Sequence, residues 1–390
     1  MADYLENLTT LPFAPLGIIA MPGCEEIGKR IDFYMTKWRK ERDNDFKKDA
    51  SFVAYERDTY MIEVSCPRFG SGEAKGVIRE SVRGLDIYII CDVFNHLITY
   101  TMYGQVVPMS PDDHYADLKR IITAIGGKAR RITVVMPMLY EGRQHRRNGR
   151  ESLDCATALQ ELVGMGVDTV LTFDAHDPRI VNAIPVHSFE NIMPTYQMIK
   201  ALVSVVPDIK MDKEHLMIIS PDEGAMGRGI YFSSVLGVDL GMFYKRRDYS
   251  VVINGRNPIV AHEYLGADVA GKDIIIVDDM ISSGDSVLDL AVKLKALHAK
   301  DIYVCTTFGL FCEGLEHFDA AYEKGYIRKV FTTNSVCQTP ELLARQWYCS
   351  VDLSKYIAYI IDTLNHDASI SDLLNPSIKI NALLARKGMR

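Results

Sequence analysis

Short, continuous apolar runs recur along the chain, each followed by polar loop residues and then by a stretch with helical spacing. Residues 16–21 form the first run, followed by Pro22-Gly23 and a helical stretch from Glu25. Residues 85–91 form a second run rich in isoleucine. Residues 115–125 place Leu118, Ile121, Ile122 and Ile125 on one helical face. Strand-like 131–136, helix-like 152–163 and strand-like 169–173 complete the first half. The second half repeats the scheme, with strands predicted at 216–219, 239–244, 273–277, 302–307 and 329–332 and a helix at 286–297. Continuous apolar strands alternating with amphipathic helices predict parallel sheets covered on both faces. The fold class is therefore α/β. Two such half-chains predict two domains, 1–194 and 195–390, parting near Met193-Pro194.

The composition agrees with this. Of 390 residues, 48% are hydrophobic and 24% charged, as in globular chains. No apolar run approaches the roughly 18 residues a membrane span needs. The first ten residues carry acids and no basic segment, and Pro12 and Pro15 interrupt the next apolar stretch, so no signal peptide and a cytoplasmic location are expected. A net charge of −7 argues against a nucleic-acid or membrane-surface binder but leaves room for an anionic small substrate, for which a local basic cluster suffices. The eight cysteines include no C-x-x-C pair, which predicts free thiols without a structural zinc.

Ligands of open α/β sheets bind beyond the carboxyl ends of strands, so the residues there are the ones to inspect. The apolar run 273–277 leads into Asp278-Asp279-Met280-Ile281-Ser282-Ser283-Gly284-Asp285-Ser286. A small, hydroxyl-rich loop opening a helix can present N–H groups to a phosphate, while two acids can hold ribose hydroxyls or a magnesium shell. The same pattern also suits a capped helix start, with Ser282 or Ser283 as N-cap. Asp174 and His176 follow the strand 169–173, and period-two geometry would put them on one side, within reach of one cation. A histidine satisfied by loop hydrogen bonds is the other reading.

Together these segments resemble the ribose-phosphate pyrophosphokinase family, whose fold is that of type I phosphoribosyltransferases. The resemblance rests on the Asp278–Ser286 segment, Arg68-Phe69-Gly70-Ser71-Gly72-Glu73 with Glu80-Ser81-Val82-Arg83-Gly84, Arg143-Gln144, Asp174-Ala175-His176 and Ser220-Pro221-Asp222, in the family's order. It implies two phosphoribosyltransferase-like domains and a Mg²⁺-dependent transfer of diphosphate from ATP to ribose 5-phosphate, yielding phosphoribosyl diphosphate and AMP. A regulatory homologue that keeps the fold and loses catalysis is the alternative.

The resemblance also implies roles. ATP would be held by Phe69, Ser71, Glu73, Arg143, Gln144 and His176, with the Phe69 loop serving a neighbouring subunit. That requires at least a homodimer, with a hexamer as the larger assembly the resemblance allows. Metal would be met by His176, Asp222 and Asp174. Ribose 5-phosphate would be held by Asp278, Asp279, Ser282, Ser283, Gly284 and Ser286. Lys245 and Arg247, opening a mobile loop at 248–257, would stabilise charge during transfer. Several positions depart from the family: Ser71 replaces Asp or Asn, Ala183 and His187 replace acids, and Asp285 stands where glycine is common. Gly224, Ala225 and Arg228 replace a double glycine and a lysine, and His145-Arg146-Arg147-Asn148 replace an acidic, lysine-rich tail. The charged stretch 38–60 and the tail from Asn375 make the chain longer than typical members.

Overall fold

The computed structural model describes residues 10–42, 54–147, 149–247 and 259–389, giving the backbone alone at 245–247 and 259–262. Two compact units emerge, the first reaching Met193 and the second starting at Pro194. The first also takes in Asn334–Cys337 and Asp352–Asn375, so the chain leaves the second unit and returns to the first before ending in the second.

The first unit carries strands β1 (Leu16–Ala20), β2 (Val64–Ser65), β3 (Val77–Ile78), β4 (Asp86–Ile90), β5 (Thr99–Met102), β6 (Gln105–Pro108), β7 (Arg131–Val135), β8 (Thr169–Phe173) and β9 (Ser188–Ile192). Its main sheet is parallel and runs β1-β4-β7-β8-β9, in chain order without reversal. Alternate residues Ile19, Ile87, Ile89, Ile132, Val134 and Val170 meet Leu118, Ile121, Ile122 and Ile125 of the helix Pro111–Ile125 and Leu159 and Leu162 of the helix Asp154–Gly164. The first of these helices starts at Ser110, whose hydroxyl accepts from Asp113 N–H while the Asp113 carboxylate accepts from Ser110 N–H, a capping box.

The returning helix Ser354–Asn365 docks on the helix Glu25–Glu41, with Trp38 stacked on Tyr359 at 4.4 Å. Buried Asp362 there faces Arg42 at 2.5 Å and Arg39 at 3.4 Å. Arg39 also donates to Asn365 Oδ1 at 2.6 Å.

The second unit holds β10 (Leu216–Ser220), β11 (Asp239–Arg247), β12 (Ile259–Leu265), β13 (Asp273–Ile281), β14 (Ile302–Gly309), β15 (Lys329–Thr333) and β16 (Tyr348–Val351). The sheet order is β12-β11-β10-β13-β14-β15-β16, parallel except for β12. Strand alternation feeds two cores. Met217, Ile219, Ile274, Ile276 and Val304 pack with Val287, Leu290 and Leu294 of the helix Asp285–Ala296. Leu216, Ile218, Ile275, Val277 and Cys305 pack on the other face with Met198 and Leu202 of the helix Thr195–Val205 and Phe232 and Leu236 of the helix Met226–Leu236. That double coverage is why these strands read as unbroken apolar runs. Among the described residues, no helix is long and apolar enough to cross a membrane.

Candidate functional site

In the seven-stranded sheet, β10 continues through the helix Met226–Leu236 to β11 on one side, and β13 continues through the helix Asp285–Ala296 to β14 on the other. Two neighbouring parallel strands whose connections part in opposite directions leave a crevice at their carboxyl ends. Ser220-Pro221-Asp222 occupies that end of β10, and Asp278-Asp279 with Ser282-Ser283-Gly284 occupies that end of β13.

The two acids do not follow the strand, as the apolar run alone predicts. β13 extends through them, because Asp278 pairs with Thr306 and Met280 with Phe308 of β14. Asp279 N–H donates to Asp278 Oδ1 at 2.9 Å. Burial, then Asp279 and Asp222, push the Asp278 carboxyl well above the usual carboxylate range. Asp222 accepts from the N–H of Gly224 at 2.9 Å and of Ala225 at 3.3 Å, which orients its carboxylate within the turn. Buried Arg228 lies 4.0 Å from Asp279. The lysine-to-arginine departure thus keeps a cation beside the acids.

The loop after β13 is capped by a side chain only weakly, through Ser283 Oγ, which accepts from the N–H of Asp285 at 3.4 Å. The N-cap is Gly284, with no side-chain hydrogen bond. Beyond Asp285, the N–H groups of the first turn can meet an anion. Gly284 sits at φ 99°, and a Cβ there would lie 2.3 Å from Phe318, so no other residue fits without displacement. Ser283 Oγ donates to Asp285 Oδ2 at 3.2 Å, and His317 stands 3.9 Å from Asp285. Asp285 is the first residue of its helix, where the helix dipole favours an acid. Cys312, unremarked in the sequence, donates its N–H to the Ser282 carbonyl. Ser286 lies in the first turn of the same helix.

β11 extends to Arg247, pairing Lys245 with His262 and Arg247 with Ile259 across a register shift at Arg246/Arg247. Lys245 and Arg247 therefore belong to the strand rather than opening a loop. Their side chains and the loop expected at 248–257 lie outside the described residues, as do residues 43–53 of the charged stretch 38–60 and Asn148.

In the first unit the candidates occupy three loops. Phe69 is 55% exposed at the tip of a tight loop in which Phe69 N–H donates to Glu73 O and Gly72 N–H to Phe69 O. Ser71 Oγ donates to Glu73 Oε2 at 2.8 Å, so the serine that replaces an acid orients the next one. After β7, Arg143 is exposed, and Gln144 Nε2 donates to the Ser152 carbonyl at 2.8 Å. Gln144 thus holds the loop closed as well as lying beside Arg143.

Beyond β8, His145 Nε2 lies 3.3 Å from Asp177, and the His145 and His176 rings are 5.4 Å apart. His145 Nδ1 is buried with no hydrogen-bond partner among the described residues. Hydrogen bonds from Arg179 hold Asp177 down to about 2. Asp177 is thus an anion that can pair with protonated His145. His145 and Asp177 were missed because their meeting depends on β7 and β8 lying side by side. The strand geometry behind the period-two expectation for Asp174 and His176 is absent. β8 ends at Phe173, Asp174 takes φ 41° and is buried, and His176 is exposed.

Among the described residues, no three His, Cys, Asp or Glu side chains are arranged to enclose a metal. Magnesium, however, needs only one or two carboxylates beside water and phosphate oxygens. The mutually repelling Asp222, Asp278 and Asp279 fit that demand.

A parallel-sheet α/β protein with paired acids and a glycine-capped helix start at a strand-order reversal belongs to the class that handles phosphorylated sugars or nucleotides. Comparison with known proteins narrows the class. Residues 25–166 match the model of the N-terminal domain of ribose phosphate pyrophosphokinase, and residues 254–375 match that of the phosphoribosyl synthetase-associated domain. Ribose-phosphate pyrophosphokinase of Vibrio parahaemolyticus is 28% identical over 317 residues, covering 80% of this chain and 91% of its own. That of Mycoplasma pneumoniae is 27% identical over 315 residues, covering 80% and 87%. The crystal structure of phosphoribosylpyrophosphate synthetase from Mycobacterium smegmatis has the same fold, with a TM-score of 0.70 at 19% identity over 90% of this chain and 99% of that one. The chain belongs to the ribose-phosphate pyrophosphokinase family of enzymes.

Proposed function

We propose that the chain transfers the diphosphoryl group of ATP to the anomeric hydroxyl of ribose 5-phosphate in a Mg²⁺-dependent reaction, giving 5-phosphoribosyl 1-diphosphate and AMP. The observation that carries this reading is the pairing of Asp278 and Asp279 with a helix start at the Gly284 turn, whose N-cap is a glycine. One segment of chain thereby offers acceptors for a vicinal diol and donors for a phosphate. The relatives named ribose-phosphate pyrophosphokinase support the substrate pair.

In this reading Asp278 and Asp279 bind the ribose hydroxyls. The raised Asp278 carboxyl retains a proton more readily, which lets the pair donate as well as accept and lessens its repulsion of the phosphate. Ser282, Ser283, Gly284 and Ser286 hold the 5-phosphate. Phe69 covers the adenine face, Ser71 and Glu73 take its polar edge, and Arg143, Gln144 and His176 meet the polyphosphate. The Phe69 loop serves the site of a neighbouring copy. Asp222 would hold Mg²⁺, which when bound neutralises polyphosphate charge. The anomeric oxygen attacks the β-phosphorus in line, the α–β bridging P–O bond breaks, and AMP leaves with that oxygen. Lys245 and Arg247 stabilise the charge that develops on the bridging and leaving oxygens.

The test is formation of AMP and phosphoribosyl diphosphate from ATP and ribose 5-phosphate with Mg²⁺, with and without inorganic phosphate. Equal amounts of both products, absent when ribose 5-phosphate is omitted, are expected. Folded protein that binds ATP but forms neither product would instead be a regulatory homologue. Asp285, an acid within the phosphate loop, is the observation that favours that second reading.

A further inference from the structure

Phe69, Ser71 and Glu73 are exposed or nearly so, so something other than burial has to hold their loop in one shape. The hairpin β5–β6 does this. Its two-residue turn has Tyr103 at φ 49° and Gly104 at φ 77°, a type I′ geometry. Tyr103 N–H donates to the Gly70 carbonyl at 2.9 Å. Gly72, at φ 94°, approaches Met102 so closely that a Cβ there would lie 2.7 Å from its sulfur. The guanidinium of Arg68, at the root of the loop, lies over the Tyr100 ring at 4.6 Å and pairs with Asp117 at 2.8 Å. Tyr100 in turn donates through its hydroxyl to Asp113, whose carboxylate closes the capping box of the helix Pro111–Ile125. A line of contacts therefore runs from a core helix through Tyr100 to Arg68, and a second from Met102 and Tyr103 to the loop tip.

The hairpin itself is weakly tied to the core. Tyr103 is 82% and Val106 71% exposed, and none of Thr99–Pro108 is fully buried. It therefore has little weight in the stability of the unit and a direct hold on one loop.

We infer that the hairpin is a positioning element for nucleotide binding, with Tyr100 and Met102 as its positioning residues and an adenine nucleotide as the ligand whose loop it holds. The inference rests on the proposed role of Phe69 and Glu73 in the ATP site. Cation–π contacts at partly exposed sites are modest, so losing the Tyr100 ring should weaken ATP binding about fivefold. Loss of the Met102 side chain should act in the same direction and by less, because the Tyr103–Gly70 backbone hydrogen bond remains.

The experiment measures ATP affinity by calorimetry, together with KM for ATP and for ribose 5-phosphate, on the full chain and its Tyr100→Ala, Tyr100→Phe and Met102→Ala variants. Tyr100→Ala should raise the Kd and KM for ATP about fivefold, leave KM for ribose 5-phosphate and the melting temperature unchanged, and be rescued by Tyr100→Phe, which keeps the ring. ATP affinity unchanged in both Tyr100→Ala and Met102→Ala, while the wild type binds ATP, overturns the inference and leaves the proposed function standing. Equal rises in both KM values with a lowered melting temperature overturn it too, since that marks a merely structural role. A wild-type chain that binds no ATP removes the functional reading, and the inference with it.

Discussion

The two sheets use the same local material to different ends. In the five-stranded sheet the spatial order follows chain order, so topology opens no crevice, and the candidate residues sit on loops, of which those after β7 and β8 meet at His145 and Asp177 while the Phe69 loop is braced by its own hairpin. In the seven-stranded sheet the order reverses between β10 and β13, and the ends of those two strands bring Asp222, Asp278 and Asp279 within electrostatic reach of one another. A reversal concentrates charge at one place, whereas a monotonic sheet leaves each loop to be fixed by its own neighbours. Hence burial and the neighbouring acids raise the Asp278 carboxyl, while the Phe69 loop depends on a hairpin and the Arg143 loop on Gln144.

Four substitutions bear on this contrast. Asp362→Ala should have the largest effect, confined to the first unit. Removing it leaves buried Arg39 and Arg42 without their counter-charge, which costs about 3–5 kcal/mol. Urea denaturation reads this, and a variant as stable as the wild type would show that the return helix is held by packing alone. Lys245→Ala should lower kcat about 10²- to 10³-fold with the melting temperature unchanged. A nearly normal kcat would take Lys245 out of the mechanism and leave the catalytic weight of the second unit on its strand-end groups.

Gly284→Ala forces a Cβ toward Phe318 at a left-handed φ, which strains the phosphate loop by about 1–3 kcal/mol. KM for ribose 5-phosphate should rise at least about tenfold while KM for ATP stays put. An equal rise in both would break the assignment of one substrate to each set of loops.

The smallest effect concerns Asp92, whose carboxyl burial pushes up to about 6 despite hydrogen bonds from the N–H of Phe94 and Cys337. A raised carboxyl favours the protonated folded state, so its contribution is present at low pH and is lost as pH rises from the unfolded value to about 6. Wild-type stability relative to Asp92→Asn should therefore fall by about 1–2 kcal/mol between pH 4 and pH 6. A difference independent of pH across that window would show that Asp92 stays ionised.

Much of the frame was legible in the sequence. The run at 169–173 coincides with β8, and the stretch predicted at 286–297 became the helix Asp285–Ala296. The loop from Ser282 to Ser286 was legible because hydroxyls and a glycine after an apolar run have a local meaning. What escaped was whatever depends on a neighbour. β13 and β11 run past their apolar stretches because paired strands supply hydrogen bonds to polar residues as readily as to apolar ones. The hairpin β5–β6 left only a faint signal, a Tyr-Gly pair between Thr-Tyr-Thr-Met and Gln-Val-Val-Pro. The strand basis for placing Asp174 and His176 together failed because period-two reasoning holds only while the strand continues, and the strand stops one residue earlier.

The sequence by itself determined the α/β class, the alternation of strands and helices, and the segments that carry chemistry, since each depends on spacing within a few residues. Only the tertiary structure decided the strand order, the reversal that gathers the acids, the burial of Asp174 and the return of Asp352–Asn375 to the first unit. These depend on which surfaces meet after collapse. Arg39 and Asp362, 323 residues apart in the chain, become partners only because two helices dock, and no local pattern encodes that encounter.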